Sequence, residues 1–119
     1  TMPKTIPSFM KYHKEDVVVN GTIYQDLTPA IMLTSENGEP VTKATSNLSQ
    51  HHDIELEENT VAIKDYSENS GVLITLIVGK IVTPCNEVLS NAYGTNWVVA
   101  KIIDPTILNE IQEALNRVS

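Results

Sequence analysis

The chain has 119 residues, one cysteine and a formal net charge of −7. This length predicts one domain with its own core, and the acidic balance argues against a nucleic-acid groove, which needs a basic surface. The lone Cys85 excludes an internal disulfide framework, and the start of the chain lacks the apolar run of a signal peptide, so we expect a cytoplasmic protein. The longest apolar run, residues 72–82, is too short for a membrane span, which takes about 20 residues.

Residues 1–15 predict an N-terminal arm ahead of a single domain over residues 16–119. The arm contains two prolines and three lysines among scattered apolar residues that follow no period. Such a segment does not form a regular element by itself. We therefore expect it to be ordered by docking three apolar side chains on the domain, namely Ile6, Phe9 and Tyr12.

The segment after the arm favours strand structure with a turn inside it. Val17–Val19 and Thr22–Tyr24 are rich in β-prone residues and flank Asn20-Gly21. That dipeptide is the strongest short signal for a tight turn. We predict a hairpin here, or a strand that a tight turn interrupts.

A second hairpin is predicted further along the chain. Ala30–Thr34 and Val41–Ser46 are β-prone runs joined by a short loop containing Gly38, which can take a positive φ. The polar stretch that follows predicts a loop with a short extended patch at Ile54–Leu56. Thr60–Ile63 then predicts one more short strand.

Residues 72–82 fit two different structures. The run V-L-I-T-L-I-V has the β-branched content of a buried strand. The same residues lie between Ser-Glu-Asn-Ser-Gly, which is typical of a helix start, and the stop signals Gly79 and Pro84. The residues alone leave strand and helix open.

The last two elements have the clearest patterns. Asn96–Ile103 alternates, which places Trp97 and Lys101 on one face of a strand and a uniformly apolar row on the other. A C-terminal helix follows, because Asp104 can cap it and Pro105 suits its first position. We expect this amphipathic helix to pack on the sheet or to pair with a second copy of the chain. Its apolar stripe comprises Ile107, Leu108, Ile111, Leu115 and Val118.

Three strings in the chain are similar to a known family. They are E-N-G-E-P-V-T-K-A-T-S-N-L at 36–48, V-A-I-K-D-Y-S-E-N-S-G-V-L-I-T-L-I-V-G-K-I-V at 61–82 and Y-G-T-N-W-V-V-A-K-I-I at 93–103. In this order they resemble the small domain associated with large polyvalent proteins of phages, plasmids and conjugative elements. The resemblance covers residues 16–103 and implies a helix over Asn69–Val78.

The chain departs from this family at three positions of the implied helix. Where the family has acidic or alanine residues, this chain has Ile74, Thr75 and Val78. The departures indicate an additional apolar contact, such as one with a partner protein. The family carries no established catalytic residues, so the resemblance implies a stand-alone accessory protein of a phage or mobile element without an enzymatic site.

Polar clusters in the sequence do not converge as catalytic or metal sites. Along a strand, Lys64 and Tyr66 share one face and Asp65 lies on the other, which predicts a strand end and a helix cap instead of an acid–base pair. The adjacent His51 and His52 point in different directions on a regular element and predict a solvated loop, not a zinc site. The phosphate-loop, dinucleotide, serine-hydrolase and zinc-protease motifs do not occur in the sequence, so we predict no enzyme, no metal and no cofactor.

The sequence therefore predicts an α+β fold, with a small antiparallel sheet of four or five strands, one internal helix and one C-terminal amphipathic helix. The predicted function is a non-catalytic phage or mobile-element protein that binds a host protein and inhibits a host defence system. The alternative is an oligomer that sequesters a nucleotide-like signal. We expect neither a membrane nor direct nucleic acid as a partner, and a homo-oligomer would form through the C-terminal helix. The residues predicted to contact the partner are Lys64, Tyr66, Tyr93, Trp97 and Lys101.

Overall fold

Two antiparallel sheets and two helices make up the fold. The structure is a computed structural model, and it describes residues 4–47 and 56–118. The strands within these residues are β1 (Lys4–Ile6), β2 (Val17–Ile23), β3 (Pro29–Thr34), β4 (Pro40–Lys43), β5 (Thr45–Ser46), β6 (Thr60–Ile63), β7 (Val82–Ser90) and β8 (Asn96–Ile102). The helices are α1 (Val72–Val78), preceded by a 3-10 turn at Ser67–Asn69, and α2 (Pro105–Val118). The predicted α+β class with one internal and one C-terminal helix is confirmed, and the strands divide into two sheets of four.

The first sheet has the strand order β1-β2-β3-β4. β2 runs without a break through Asn20 and Gly21, so the predicted turn at this dipeptide is wrong. Gly21 instead allows α2 to approach closely, because a Cβ here would lie 2.7 Å from the carbonyl oxygen of Ile107. The Gly21 amide also donates a hydrogen bond of 3.0 Å to Oε1 of Glu110. The glycine serves a long-range helix contact, which local turn statistics do not contain.

The N-terminal arm packs on the rest of the chain. β1 pairs with β2, and both Ile6 and Met10 are buried in the core. Of the side chains expected to dock, Ile6 does so, whereas Phe9 and Tyr12 stay exposed. Nζ of Lys4 lies 3.2 Å from Oδ2 of the buried Asp104, which ties the arm to the start of α2 as well.

The predicted hairpin of β3 and β4 is confirmed, but its second strand divides at Ala44. The part before Ala44 pairs with β3 in the first sheet, and the part after it pairs with β6 in the second sheet. The Ala44 amide donates to the carbonyl oxygen of Ile31, and its own carbonyl oxygen accepts from the amide of Lys64. This residue is therefore the point where the chain crosses from one sheet to the other.

The second sheet has the strand order β5-β6-β8-β7. β8 confirms the predicted last strand, whereas β7 was not predicted. Its pairing is irregular between Pro84 and Glu87, and Asn86 has a φ of 57°, so the apolar–polar alternation of a strand is interrupted. β7 is the outer strand of the sheet, and it is exposed except for Val82 and part of Leu89.

The α2 helix covers the core at β2. Oδ1 of Asp104 accepts hydrogen bonds from the amides of Thr106 (2.9 Å) and Ile107 (3.2 Å), which confirms the predicted cap. The predicted apolar stripe faces inward with Ile107 and Ile111 buried, except that Val118 is exposed at the helix end. Packing on the sheet, the first of the two predicted arrangements, is what the structure contains.

Candidate functional site

The corner between β6 and α1 is built by the family-like string at residues 64–69. Oδ1 of Asp65 accepts hydrogen bonds from the amides of Gly71 (2.9 Å) and Leu73 (3.2 Å). The Leu73 amide belongs to the first turn of α1 and Gly71 directly precedes this helix, so neither amide has a partner within the helix. Asp65 is therefore the helix cap, as its position in the sequence suggested, and its carboxylate is engaged in structure.

Asn69 ties the same corner to the first sheet. Its side chain is fully buried, and its Oδ1 accepts a hydrogen bond from the hydroxyl of Thr42. Its Nδ2 donates to the carbonyl oxygen of Lys43 at 2.9 Å. A buried amide with both ends satisfied stabilises the corner and leaves no free group for chemistry.

The helix implied by the family resemblance is present over residues 72–78. Asn69 belongs to the 3-10 turn, and Gly71, with a φ of 96°, separates that turn from α1. The implied start at Asn69 is thus three residues early. The strand alternative for residues 72–78 is wrong, because the cap at Asp65 and the turn before Val72 start a helix.

A row of small residues on α1 lies against the arm. Gly71, Thr75 and Gly79 are one turn apart and share one face of the helix. A Cβ at Gly71 would overlap the carbonyl oxygen of Phe9, and one at Gly79 would lie 2.9 Å from the Ile6 side chain. Oγ1 of Thr75 accepts a 2.9 Å hydrogen bond from the amide of Phe9 and donates one of 2.8 Å to the carbonyl oxygen of Gly71. The backbone of the arm therefore lies directly on the helix.

This contact leaves three large apolar side chains on the surface, which we call the α1 patch: Phe9, Ile74 and Val78. They are 49%, 47% and 48% exposed. Ile74 and Val78 are one helical turn apart, on the side of α1 that faces away from the core. Phe9 is held beside this helix through the bond of its amide to Thr75.

Lysines lie at both ends of α1. The amide of Lys11 donates to the carbonyl oxygen of Ser70 just before the helix, and Lys80 follows its last turn. Both lysines are exposed, and α1 itself has no charged residue. The carboxylates of Asp65 and Glu68 also lie at the start of α1, so the α1 patch is bordered by charges of both signs.

The five residues predicted to contact a partner do not form one surface. Lys64 and Tyr66 lie at the β6–α1 corner, where Tyr66 is 37% exposed. Tyr93 is almost fully exposed in the turn between β7 and β8. Trp97 is buried, and its Nε1 donates a 3.1 Å hydrogen bond to Oγ of Ser46, while Lys101 lies roughly 13 Å further along β8 at about 3.3 Å per residue.

The α1 patch lies outside that predicted set. Its signal in the sequence was the departure from the family at Ile74, Thr75 and Val78. Two of these three residues are exposed, as an added apolar contact requires, whereas Thr75 is buried and binds the arm. The sequence predicted that Phe9 docks on the domain but not where, because its place beside α1 follows from a contact 66 residues away in sequence.

A cavity of about 420 Å³ lies between α2, the β2–β3 turn and the start of β6. Its floor is apolar and borders the core at Val61 and Ile111. Glu57 and Glu58 are exposed at its edge. The other apolar residues of its wall are Leu27, Pro29, Leu56, Leu108 and Leu115.

Tyr24 lies in this wall, and its surroundings change the pKa of its phenol. Its hydroxyl lies 2.8 Å from Oγ1 of Thr45. Burial raises the pKa of Tyr24 above 10.0, the hydrogen bond with Thr45 lowers it in part, and the negative charge of Asp26 raises it further. Nζ of Lys43 lies 5.3 Å from the centroid of the ring. Burial therefore favours the neutral phenol.

Within residues 4–47 and 56–118, no group of three or more His, Cys, Asp and Glu side chains is placed to hold a metal ion. None of the helices in these residues has the length and apolar content needed to cross a bilayer. The predicted loop with His51 and His52 lies outside them, as does most of the predicted extended patch at Ile54–Leu56.

Comparison with known proteins adds no relative. The chain matches no protein-family model, no curated protein and no solved structure. The family resemblance taken from the three strings therefore stays a prediction. A proposal for the function therefore has to be argued from the surfaces of this chain, beginning with the α1 patch.

Proposed function

We propose that the protein is a non-catalytic phage or mobile-element protein that binds a host protein and thereby inhibits a host defence system. The observation that carries the binding proposal is the α1 patch: Ile74 and Val78 are about half exposed one helical turn apart, and Phe9 is about half exposed on the arm that lies along the same helix. Exposed apolar side chains grouped on a folded domain are typical of protein–protein contacts. The phage or mobile-element origin rests on the family resemblance.

The α1 patch has the features of the centre of an interface. Phe9 supplies an aromatic side chain, and aromatic and aliphatic anchors contribute most of the binding energy in such contacts. Ile74 and Val78 stand on a helix whose opposite face is fixed in the core through Val72 and Leu76. Because these side chains are held in place before binding, little conformational entropy is lost when a partner covers them.

The charges around the patch indicate what borders the partner's contact surface. Lys11 and Lys80 lie at the two ends of α1 and would form a polar rim around the apolar centre. Opposite charges across a rim speed association and exclude wrong partners more than they add affinity. Asp65 and Glu68 lie at the start of the same helix. We therefore propose a partner whose apolar contact surface is bordered by charged side chains, acidic opposite the lysines and basic opposite these carboxylates.

The alternative, an oligomer that sequesters a nucleotide-like signal, has less support. A phosphate group needs several converging cations or backbone donors. The internal lysines that could bind such a phosphate lie on different elements: Lys43 on β4, Lys64 after β6, Lys80 after α1 and Lys101 on β8. The cavity beside α2 has Glu57 and Glu58 at its edge, which repel a phosphate.

A retention experiment with the full chain tests the proposal. Immobilised protein is incubated with lysate of a candidate host, next to the variants Ile74→Ser/Val78→Ser and Val88→Ser/Tyr93→Ser. The second variant is the matched control, because it removes two exposed apolar side chains from β7 and the β7–β8 turn. We expect wild type and control to retain the same stoichiometric protein and the α1 patch variant to lose it.

The dissociation constant then gives the size of the effect. Each truncated interface anchor costs about 1 kcal/mol or more, so the two changes in Ile74→Ser/Val78→Ser should together weaken binding by about thirtyfold or more. Circular dichroism and thermal unfolding confirm that the variants fold. Loss of the partner in the Val88→Ser/Tyr93→Ser control alone would move the interface away from α1, and a wild type that retains nothing from several hosts would contradict the binding proposal.

A further inference from the structure

We propose that the cavity beside α2 is a binding site for a small molecule with an apolar body and one cationic group. This site is separate from the α1 patch and does not depend on the proposed function. Its volume of about 420 Å³ falls within the range of about 300 to 1,000 Å³ that is typical of small-molecule sites. The argument uses the walls of the cavity, the state of its polar groups and the charges at its edge.

The walls come from parts of the fold that are held in place. Leu108 and Leu115 are two turns apart on α2, whose neighbouring residue Ile111 is in the core. Leu27 stands opposite them on the β2–β3 turn, at a φ of 72°. That turn is closed by hydrogen bonds of 2.9 Å between Tyr24 and Leu27 and between Tyr24 and Thr28. The apolar surface is therefore formed before a ligand arrives.

Polar side chains in the wall already have partners. The hydroxyl of Tyr24 is bonded to Thr45, and Oγ of Ser46 accepts from the indole of Trp97. The Gln112 side chain donates a hydrogen bond of 3.0 Å to Asn116. A ligand therefore gains binding energy mainly from apolar contact inside the cavity, and its polar group has to lie at the open edge.

Charge at that edge selects the sign of the polar group. Glu57 and Glu58 are both exposed there, and the lining residues that the structure describes include no Lys, Arg or His. The ammonium group of Lys43 lies over the ring of Tyr24 in the wall and offsets one of these two negative charges. An ammonium group at the edge would pair with a carboxylate, whereas a carboxylate would be repelled. An exposed pair of this kind changes affinity by up to about fivefold, so we expect a preference for cations that is modest and sensitive to salt.

Three probes with one shared body test this preference: 1-naphthylmethylammonium, 1-naphthylmethanol and 1-naphthoate. Each is titrated into the isotope-labelled full chain, and methyl resonances of Leu56, Leu108 and Leu115 report binding in the cavity by NMR. We expect these methyls to shift with saturation, the ammonium to bind tighter than the alcohol, and the alcohol tighter than the carboxylate. The ratio of dissociation constants between carboxylate and ammonium should be about tenfold at low salt.

Charge variants separate the cavity edge from the overall charge of the chain. Glu57→Gln/Glu58→Gln should lower the affinity for the ammonium by about fivefold and leave the affinity for the alcohol unchanged. Glu36→Gln/Glu87→Gln makes the same change in net charge at exposed residues of other turns and strands, and it should change the affinity for neither probe. Three results would each overturn the proposal. The first is that none of the probes shifts the methyl resonances, and the second is that the carboxylate binds as tightly as the ammonium. The third is that the control variant loses as much affinity for the ammonium as Glu57→Gln/Glu58→Gln does.

Discussion

The backbone amide of Phe9 donates a hydrogen bond of 2.9 Å to Oγ1 of Thr75, in the middle of α1. Thr75 is fully buried, and the two residues are 66 positions apart in the chain. The bond fixes the arm along one side of the helix and leaves Ile74 and Val78 uncovered on another. The same contact therefore stabilises the fold and shapes the α1 patch.

Replacing Thr75 by valine tests this contact. Thr75→Val keeps the β-branched shape but removes the acceptor, so the amide of Phe9 loses its partner. The free energy of unfolding should fall by about 1 to 3 kcal/mol, the cost of an unsatisfied backbone donor. Urea unfolding measures it, with Thr83→Val on the exposed β7 as a control that should stay within about 0.5 kcal/mol of wild type. An equal unfolding midpoint for Thr75→Val and wild type would contradict this role.

Gly71 should tolerate no side chain, for two reasons that a pair of variants can separate. Gly71 and Gly38 both have a positive φ, of 96° and 85°, but only at Gly71 would a Cβ meet the backbone of the arm, whereas Gly38 faces open space. Gly38→Ala should cost about 1 to 2 kcal/mol for the left-handed backbone alone. Gly71→Ala should lower the free energy of unfolding by clearly more than this, as measured by urea unfolding. Equal losses in the two variants would show that the arm moves aside without an energetic cost.

Asp104 should stabilise the fold both as a cap and as an anion. Its Oδ1 caps α2 and its Oδ2 pairs with Lys4, while the side chain is almost fully buried. Asp104→Ala should lower the free energy of unfolding by about 1 to 2 kcal/mol through the cap alone. Asp104→Asn keeps an oxygen for the cap and should cost less. A double-mutant cycle of Asp104→Asn with Lys4→Met measures the ion pair, and no loss in Asp104→Ala would contradict the capping role.

Stability should fall at alkaline pH because of Tyr24. Burial raises the pKa of its phenol above the unfolded value of 10.0, so the unfolded chain loses this proton first as the pH rises. The contribution of Tyr24 is complete below pH 10.0 and is lost as the pH rises through the higher folded pKa. Urea unfolding across this range should show a smaller decline for Tyr24→Phe than for wild type. The difference in phenolate absorbance between the two proteins gives the titration of Tyr24, and a parallel decline would contradict this cause.

The sequence predicts those elements whose signals are local. α2 was found with its cap because Asp104, Pro105 and the apolar stripe are all within the element itself. β8 was found by its alternation. The corner at residues 64–69 was predicted as a strand end and helix cap, and the hydrogen bond that the Gly71 amide donates to Oδ1 of Asp65 shows this locally encoded cap in place.

Elements that depend on distant contacts were missed or misplaced. Gly21 resembles a turn residue, but its role is to admit α2, which lies more than 80 positions later in the chain. β7 was not predicted, because the irregularity at Asn86 and the exposure of both faces of the strand remove the apolar–polar alternation. The α1 patch depends on the arm at Phe9, so the family resemblance could place Ile74 and Val78 on a helix but could not decide which side the arm would cover.

Hydrogen exchange of the purified complex, compared with the free protein, tests the α1 patch most directly. Amides whose surroundings are covered by a partner exchange more slowly, and peptides report this segment by segment. Binding at the patch predicts added protection in residues 7–11 and 71–80, with little change in residues 86–96 of the β7–β8 hairpin. Protection confined to the hairpin, with α1 and the arm unchanged, would contradict it.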